Sequence, residues 1–183
     1  MENKYKYLFL DRDGVINEER PNDYVKTEDE FVFIEKTTDA IAILSQRFEE
    51  IFIVTNQRGV GRGIMSQEKL DQIHRLMTDK IVSVGGNVSG IYVCPDICSS
   101  SINRKPNIGM AFRIQADFPQ VDFSESIMVG NSKSDVLFGK KAGMHTVLVG
   151  DKYNKSDAVY DIADRWYKDL YSFAEAMIEN KNI

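Results

Sequence analysis

Leu8-Phe9-Leu10-Asp11-Arg12-Asp13-Gly14-Val15-Ile16-Asn17 is the stretch from which the fold is read. The apolar run from Tyr7 to Leu10 stops at two carboxylates one residue apart, and a glycine follows. Such a run reads as a buried strand of a parallel sheet, delivering Asp11 and Asp13 at its C-terminal end. Ligands of open parallel sheets bind in the crevice beyond the strand ends. Side chains i and i+2 point to one side of an extended chain, so both carboxylates face one site. Two like charges this close require a cation or a shared proton. Magnesium suits them, with its hard oxygen ligands and its tolerance of phosphate. Read alone, the pair is equally a strand end running into an acidic turn.

The rest of the chain repeats the pattern. Gly14 to Phe33 is polar and irregular, with Pro21-Asn22-Asp23 marking a turn, and has the size of a flap. Thr37 or Thr38 is expected to cap a helix through Ala40, Ile41, Ile43, Leu44 and Phe48. Ile51–Val54 is a second strand, ending at Thr55-Asn56-Gln57, and the following loop to Gly63 carries three glycines, read as turn formers. Ser66 opens a helix with Leu70, Ile73, Met77, Ile81 and Val84 on one face, stopped by Gly85-Gly86. Gly90–Val93 is a third strand, and a helix is expected to start at Pro106 and end before Pro119. Strands at Ile127–Val129 and Thr146–Val149 flank a short helix to Gly143; a short strand near Ala163 and a helix from Leu170 to Asn180 follow. Strands alternating with helices argue for a parallel sheet flanked by helices.

Composition bounds the function. A chain of 183 residues is expected to form a single domain, 1–183, with a proper core. The net charge of −5 disfavours a nucleic-acid partner. There is no apolar run of membrane-spanning length, and Met1–Lys6 carries no apolar secretion core, so a cytoplasmic protein without a membrane partner is expected. Two cysteines, Cys94 and Cys98, do not make a disulfide framework. A monomer is expected. His74 reads as a surface or boundary residue of its helix, His145 as the start of a strand, and Trp166 as core or helix packing.

Reactive or phosphate-friendly groups stand at successive strand ends: Asp11 and Asp13, Thr55 and Asn56, Lys105 after the third strand's loop, and Asn131 with Asp135. Right-handed crossovers bring such ends to one sheet edge. The inventory suits phosphoryl transfer: a carboxylate to attack phosphorus, a second to move a proton, a hydroxyl and an ammonium to hold phosphoryl oxygens, and a metal ion.

Asp-Arg-Asp-Gly-Val-Ile-Asn at 11–17, Thr-Asn-Gln-Arg-Gly-Val-Gly-Arg-Gly at 55–63, Arg-Lys-Pro-Asn-Ile-Gly-Met at 104–110 and Val-Gly-Asn-Ser-Lys-Ser-Asp at 129–135 resemble the motifs of the haloacid dehalogenase (HAD) superfamily. The resemblance is nearest to the histidinol-phosphate and heptose-bisphosphate phosphatase branch and runs from Tyr7 to Val149. It implies an α/β, HAD-type Rossmann-like three-layer sandwich, mainly parallel, with a small flap and no separate cap domain. It implies an aspartyl-phosphate phosphatase of a small phosphorylated metabolite, with Mg2+ as cofactor. Asp11 would be nucleophile and metal ligand. Asp13 would be general acid/base, its backbone carbonyl on the metal. Thr55 and Lys105 would hold the phosphoryl group. Asn56, Gln57, Arg104 and, in the flap, Glu19 and Tyr24 would meet substrate. Asn131 would be the third metal ligand, with Asp135 orienting the shell.

Two departures stand out. The fourth motif normally has Asp after Val-Gly, and here Asn131 brings an amide oxygen without charge, so weaker metal binding is expected. In the branch resembled, a zinc loop of pattern Cys-x-His, then Cys-x-Cys, stands directly before Arg-Lys-Pro. The matching positions here are Cys94, Asp96, Ser101 and Asn103. Structural zinc wants four thiolate or imidazole ligands, so no structural zinc is expected. Within the branch the Asp-Gly-Val-Ile-Asn and Gly61-Arg62-Gly63 runs resemble the D-glycero-D-manno-heptose 1,7-bisphosphate group, which implies removal of the 7-phosphate. The rival readings are a histidinol-phosphate phosphatase, a nucleic-acid 3′-phosphatase and a catalytically weakened binding module.

Overall fold

A computed structural model describes residues 4–179. Six parallel strands make one sheet: β1 Tyr7–Leu10, β2 Glu50–Asn56, β3 Gly90–Cys94, β4 Ser126–Gly130, β5 His145–Val149 and β6 Arg165–Tyr167, in the order β3-β2-β1-β4-β5-β6. The chain runs outward from β1 to β3 and returns to the other side of β1 at β4. The direction of winding therefore reverses beside the C-terminal end of β1, where a crevice opens in such sheets.

The period-two alternation of the strands builds the two faces. Leu8, Leu10, Ile51, Ile53, Ile127, Val129, Val147 and Val149 share one core with α1 (Thr37–Leu44), α3 (Gln67–Ser83) and α7 (Leu170–Ile178). Tyr7, Phe9, Phe52, Val54, Tyr92 and Met128 face the other way, against α4 (Gly109–Asp117) and α5 (Lys133–Ala142). This is the expected three-layer α/β sandwich of Rossmann type. Two short helices, α2 (Arg58–Gly61) and α6 (Ala158–Ile162), complete the set among the described residues.

The segment after β1 is a flap laid on the sheet edge and no larger cap is present in the described residues. Val15, Ile16, Val25 and Phe31 anchor it in the first core. The Arg12 carbonyl accepts from the amides of Val15, Ile16 and Asn17, which turns the chain sharply out of β1.

Several local expectations are corrected. Lys36, at φ 59°, occupies the N-cap of α1 without a side-chain cap bond, and Thr37 is already helical. Phe48 lies beyond the end of α1, although it is buried. The helix expected at Pro106 starts at Gly109. Lys105 N is used by Asn56 Oδ1 at 3.1 Å, Asn107 N by Arg104 O and Gly109 N by Ile102 O, so this stretch is turns. Arg58–Gly61 is helical rather than a loop, and a Cβ on Gly61 would lie 2.2 Å from Pro95 O, so this glycine serves a close approach as well as a turn. The short strand expected near Ala163 is Arg165–Tyr167, after α6. Trp166 is 38% exposed on this edge strand and so not in the core; it packs on a helix instead, its ring tilted against Tyr160 of α6 and its Nε1 donating to Gly150 O. The expected end of the last helix, Asn180, and the first residues, Met1 to Asn3, lie outside the described residues. No helix among the described residues is long and apolar enough to cross a membrane.

Candidate active site

At the C-terminal end of β1 lies a cleft of about 300 Å³ whose lining includes Asp11, Asp13, Glu19, Tyr24, Asn56, Gln57, Lys105, Asn131 and Asp135. These come from β1, the flap, β2, the loop after β3 and the start of α5, so residues more than 100 positions apart in sequence meet here. Lys105 joins them. Its ammonium, with a side chain 1% exposed, lies 2.7 Å from both Asp11 Oδ1 and Asp135 Oδ1. It also donates to Val54 O at 2.6 Å. Burial lowers its affinity for a proton, but the two carboxylates outweigh that and hold its pKa above the usual lysine value.

Burial pushes the Asp11 carboxyl up, the Asp135 charge adds to this, and Lys105 opposes both; the result is a pKa of about 7. Lys105 is the hydrogen-bond partner of Asp11 among the described residues, so one carboxylate oxygen stays uncommitted at the cleft. Asp13 behaves in the opposite way. Burial again raises it, but Arg12 and the hydrogen bonds from Arg12, Asn17 and Gln57 win and hold it below the ordinary carboxylate range. Arg12 Nη2 lies 2.8 and 3.0 Å from its two oxygens, Asn17 Nδ2 3.0 Å from Oδ1 and Gln57 Nε2 2.9 Å from Oδ2.

Asp135 closes a capping box with Ser132 at the start of α5, its Oδ2 accepting from Ser132 N and Oγ. A Cβ on Gly130 would lie 2.1 Å from Asp135 Cβ, so only glycine lets β4 end against this carboxylate. Asn131 Nδ2 donates to Glu19 Oε2 at 3.0 Å, and Glu19 also takes Lys152 Nζ at 2.7 and 2.8 Å. The Asn131 oxygen has no hydrogen-bond partner among the described residues.

Two expected residues stand outside the cleft lining. Thr55 is 1% exposed beneath it, its Oγ1 accepting from Gln57 Nε2 at 2.8 Å. Arg104 is half-buried in the loop after β3, with Nη1 3.4 Å from Asp96 O. Its pKa is held down by burial and then by the charges of Arg58 and Arg62. No carboxylate lies within ion-pair distance of Arg58, Arg62 or Arg104 among the described residues. Arg62 donates to Tyr24 Oη at 3.0 Å.

Two participants were not foreseen. Arg12 is visible between the two acids, but nothing local says that its side chain stays inside; it is 1% exposed. His74 is corrected from surface to buried, at 7% exposure, with Nε2 3.2 Å from Arg12 Nη1.

Among the described residues no three His, Cys, Asp or Glu side chains form a ready metal cage. The donor set nevertheless fits magnesium. Uncommitted oxygens of Asp11 and Asn131 line one cleft, which carries five acids (Asp11, Asp13, Glu19, Asp23, Asp135) against four bases (Arg12, Arg20, Lys105, Lys152). A phosphate entering a cleft of that balance calls for extra positive charge, and hard oxygen donors suit a hard cation. The loop after β3 is different. Ser101 Oγ donates to Asp96 Oδ2 and accepts from the Asn103 backbone N, so the side chains at two of the positions matching zinc ligands, Asp96 and Ser101, are bonded to each other. Burial pushes the Cys94 thiol above its usual range.

Comparison with known proteins gives consistent findings. The HAD-hydrolase-like family model matches residues 102–172. A D-glycero-beta-D-manno-heptose-1,7-bisphosphate 7-phosphatase of Neisseria meningitidis is 38% identical over 145 residues, covering 79% of this chain and 76% of the relative. A D-glycero-alpha-D-manno-heptose-1,7-bisphosphate 7-phosphatase of Burkholderia mallei is 34% identical over 154 residues, covering 80% of each. Among solved structures, a D,D-heptose 1,7-bisphosphate phosphatase from B. bronchiseptica, complexed with magnesium and phosphate, superposes with a TM-score of 0.84 at 30% identity, covering 96% of this chain and 99% of that one.

Proposed function

The chain belongs to the HAD phosphatases, in the D-glycero-D-manno-heptose 1,7-bisphosphate phosphatase branch, and on that premise we propose that it removes the 7-phosphate of this sugar, with magnesium, through an aspartyl-phosphate on Asp11. As a member it is a hydrolase of phosphomonoesters. The observation that carries the reading is Lys105 Nζ at 2.7 Å from both Asp11 and Asp135, which unites three of the motifs at one point.

An Asp11 carboxylate oxygen attacks phosphorus, the bond from phosphorus to the C7 oxygen breaks, and the acyl phosphate forms. Asp13, held ionised by Arg12, Asn17 and Gln57, takes the proton that the substrate's phosphate monoanion brings and passes it to the departing oxygen, then takes one from the water that attacks the phosphorus of the intermediate. Inorganic phosphate leaves and the Asp11 carboxylate is restored. Lys105 and the Thr55 hydroxyl hold the phosphoryl oxygens as charge shifts among them. Asp11, the Asn131 amide oxygen and the Asp13 carbonyl, with Asp135 behind them, would hold magnesium, which would supply positive charge to the nucleophile and the phosphoryl group. Because burial brings the Asp11 pKa to about 7, added positive charge is what keeps it ionised at neutral pH. Gln57 links Thr55 to Asp13 and so couples the phosphoryl pocket to the acid.

The guanidinium groups of Arg58, Arg62 and Arg104, the first two near enough for their charges to act on the third and all without a carboxylate partner among the described residues, support a substrate with a second anionic group, which a bisphosphate has. Turnover of heptose 1,7-bisphosphate should therefore exceed that of a heptose monophosphate, histidinol phosphate and a 3′-phosphorylated oligonucleotide by at least about tenfold in kcat/KM. Faster turnover of histidinol phosphate or the oligonucleotide would replace the substrate assigned, and inactivity across all of them would favour a binding module.

For the metal, Asn131→Asp should bind magnesium more tightly in calorimetry, because it adds a charged ligand. In metal-free buffer the same variant should melt lower than wild type, because the new carboxylate faces Glu19, now 3.0 Å from the amide. Weaker magnesium binding would remove Asn131 from the ligand set. Elemental analysis of the same preparation should find zinc well below one per chain.

A further inference from the structure

The buried contact between Arg12 and His74 has no part in the chemistry described above. Arg12 is a full charge at 1% exposure, and burying a charge is costly unless it is paired and hydrogen-bonded; its Nε has no partner among the described residues, so the two terminal nitrogens carry the anchoring. Its Nη2 is spent on the two oxygens of Asp13, and its Nη1 meets His74 Nε2 at 3.2 Å. A guanidinium only donates, so Nε2 must accept and the ring proton resides on Nδ1. Burial and then the Arg12 charge push the His74 pKa down to about 4, so the ring stays a neutral acceptor at working pH. His74 sits on the buried face of α3 with Leu70, Ile73, Met77 and Ile81, and this face packs into the same core as β1. The Arg12 backbone is fixed as well, its carbonyl gathering three amides of the turn.

We propose that Arg12 and His74 are a positioning pair: α3, through the His74 ring, fixes the plane of the Arg12 guanidinium, which fixes the carboxyl of Asp13 for proton transfer to the leaving oxygen. Both act on the reaction through Asp13. The inference rests on Asp13 being the general acid/base of the proposed phosphatase.

The test uses the whole chain and two substrates that differ in their need for a proton. A sugar alkoxide leaves only with a proton, whereas p-nitrophenolate leaves without one. kcat/KM reports events up to departure of the leaving group. In His74→Leu, which removes the acceptor, kcat/KM on the heptose bisphosphate should fall by about 10- to 100-fold and that on p-nitrophenyl phosphate by less than about threefold. His74→Gln, whose amide oxygen can accept from Nη1, should recover most of the loss. Thermal melts of both variants establish that they are folded. Equal losses on the two substrates, or His74→Gln no better than His74→Leu, overturn the positioning role while leaving the phosphatase reading intact. A wild-type enzyme inactive on both substrates overturns both.

Discussion

Asp11→Asn abolishes turnover, by at least about 10³-fold, and at the same time raises the melting temperature of the metal-free protein above pH 7. The first effect follows because the amide is not a nucleophile, and the other carboxylate beside Lys105, Asp135, is tied into the capping box with Ser132. The second follows from burial. In the folded chain Asp11 has a pKa of about 7, against about 4 for a carboxyl in an unfolded chain. Between those values the folded form holds a proton that the unfolded form has released. Its relative contribution is therefore fully favourable below pH 4, declines as the pH rises, and is lost above pH 7. The variant should match wild type near pH 4 and gain on it towards pH 8, read as melting temperature in the presence of chelator. A variant that loses stability at every pH would mean that Asp11 is a structural ion-pair partner of Lys105 rather than a destabilised, reactive group.

Lys105→Met should cost more stability than any other single change considered, on the order of 3–5 kcal/mol at pH 8. Lys105 Nζ serves Asp11, Asp135 and the Val54 carbonyl at 2.6–2.7 Å. Its removal leaves two buried carboxylates facing each other and a carbonyl without its donor. In a chain of this size that corresponds to a drop in melting temperature of roughly 10 °C. Activity should disappear as well, since no other cation takes the developing phosphoryl charge at that point. The double variant Lys105→Met with Asp11→Asn separates the two effects: stability returns in part, because one uncompensated charge has gone, and activity does not. No recovery in the double variant would mean that the methylene chain of Lys105, and not its charge, holds the loop to the sheet.

The contrast between these two residues shows how differently they can be read. Asp11 is legible in a window of ten residues: an apolar strand, an abrupt carboxylate, a glycine. Lys105 alone is an ordinary lysine before a proline, and only the ordered motifs around it point to phosphoryl chemistry. The helix misplaced at Pro106 belongs to the same stretch. Proline at a first helical position is a sound local rule, but here the amides of Lys105, Asn107 and Gly109 are drawn to Asn56, Arg104 and Ile102, and the helix waits until those bonds are made. Thr37 gave way for a similar reason: its side chain is 1% exposed against the core, and Lys36 takes the turn.

By itself the sequence determined which segments are buried strands, and that acids stand at the end of the first strand and in the fourth motif. Those properties depend on alternation and on abrupt changes of polarity over a few neighbouring residues. Tertiary structure alone decided the pairing of charges: Arg12 turned inward to His74, Lys105 set between Asp11 and Asp135, Glu19 drawn to Asn131 and Lys152. Each such choice depends on the strand order β3-β2-β1-β4, which places side chains from distant segments within 3.3 Å of each other. A buried charge takes whichever partner the packing leaves within reach, and that reach is a property of the assembled sheet and not of any stretch of chain.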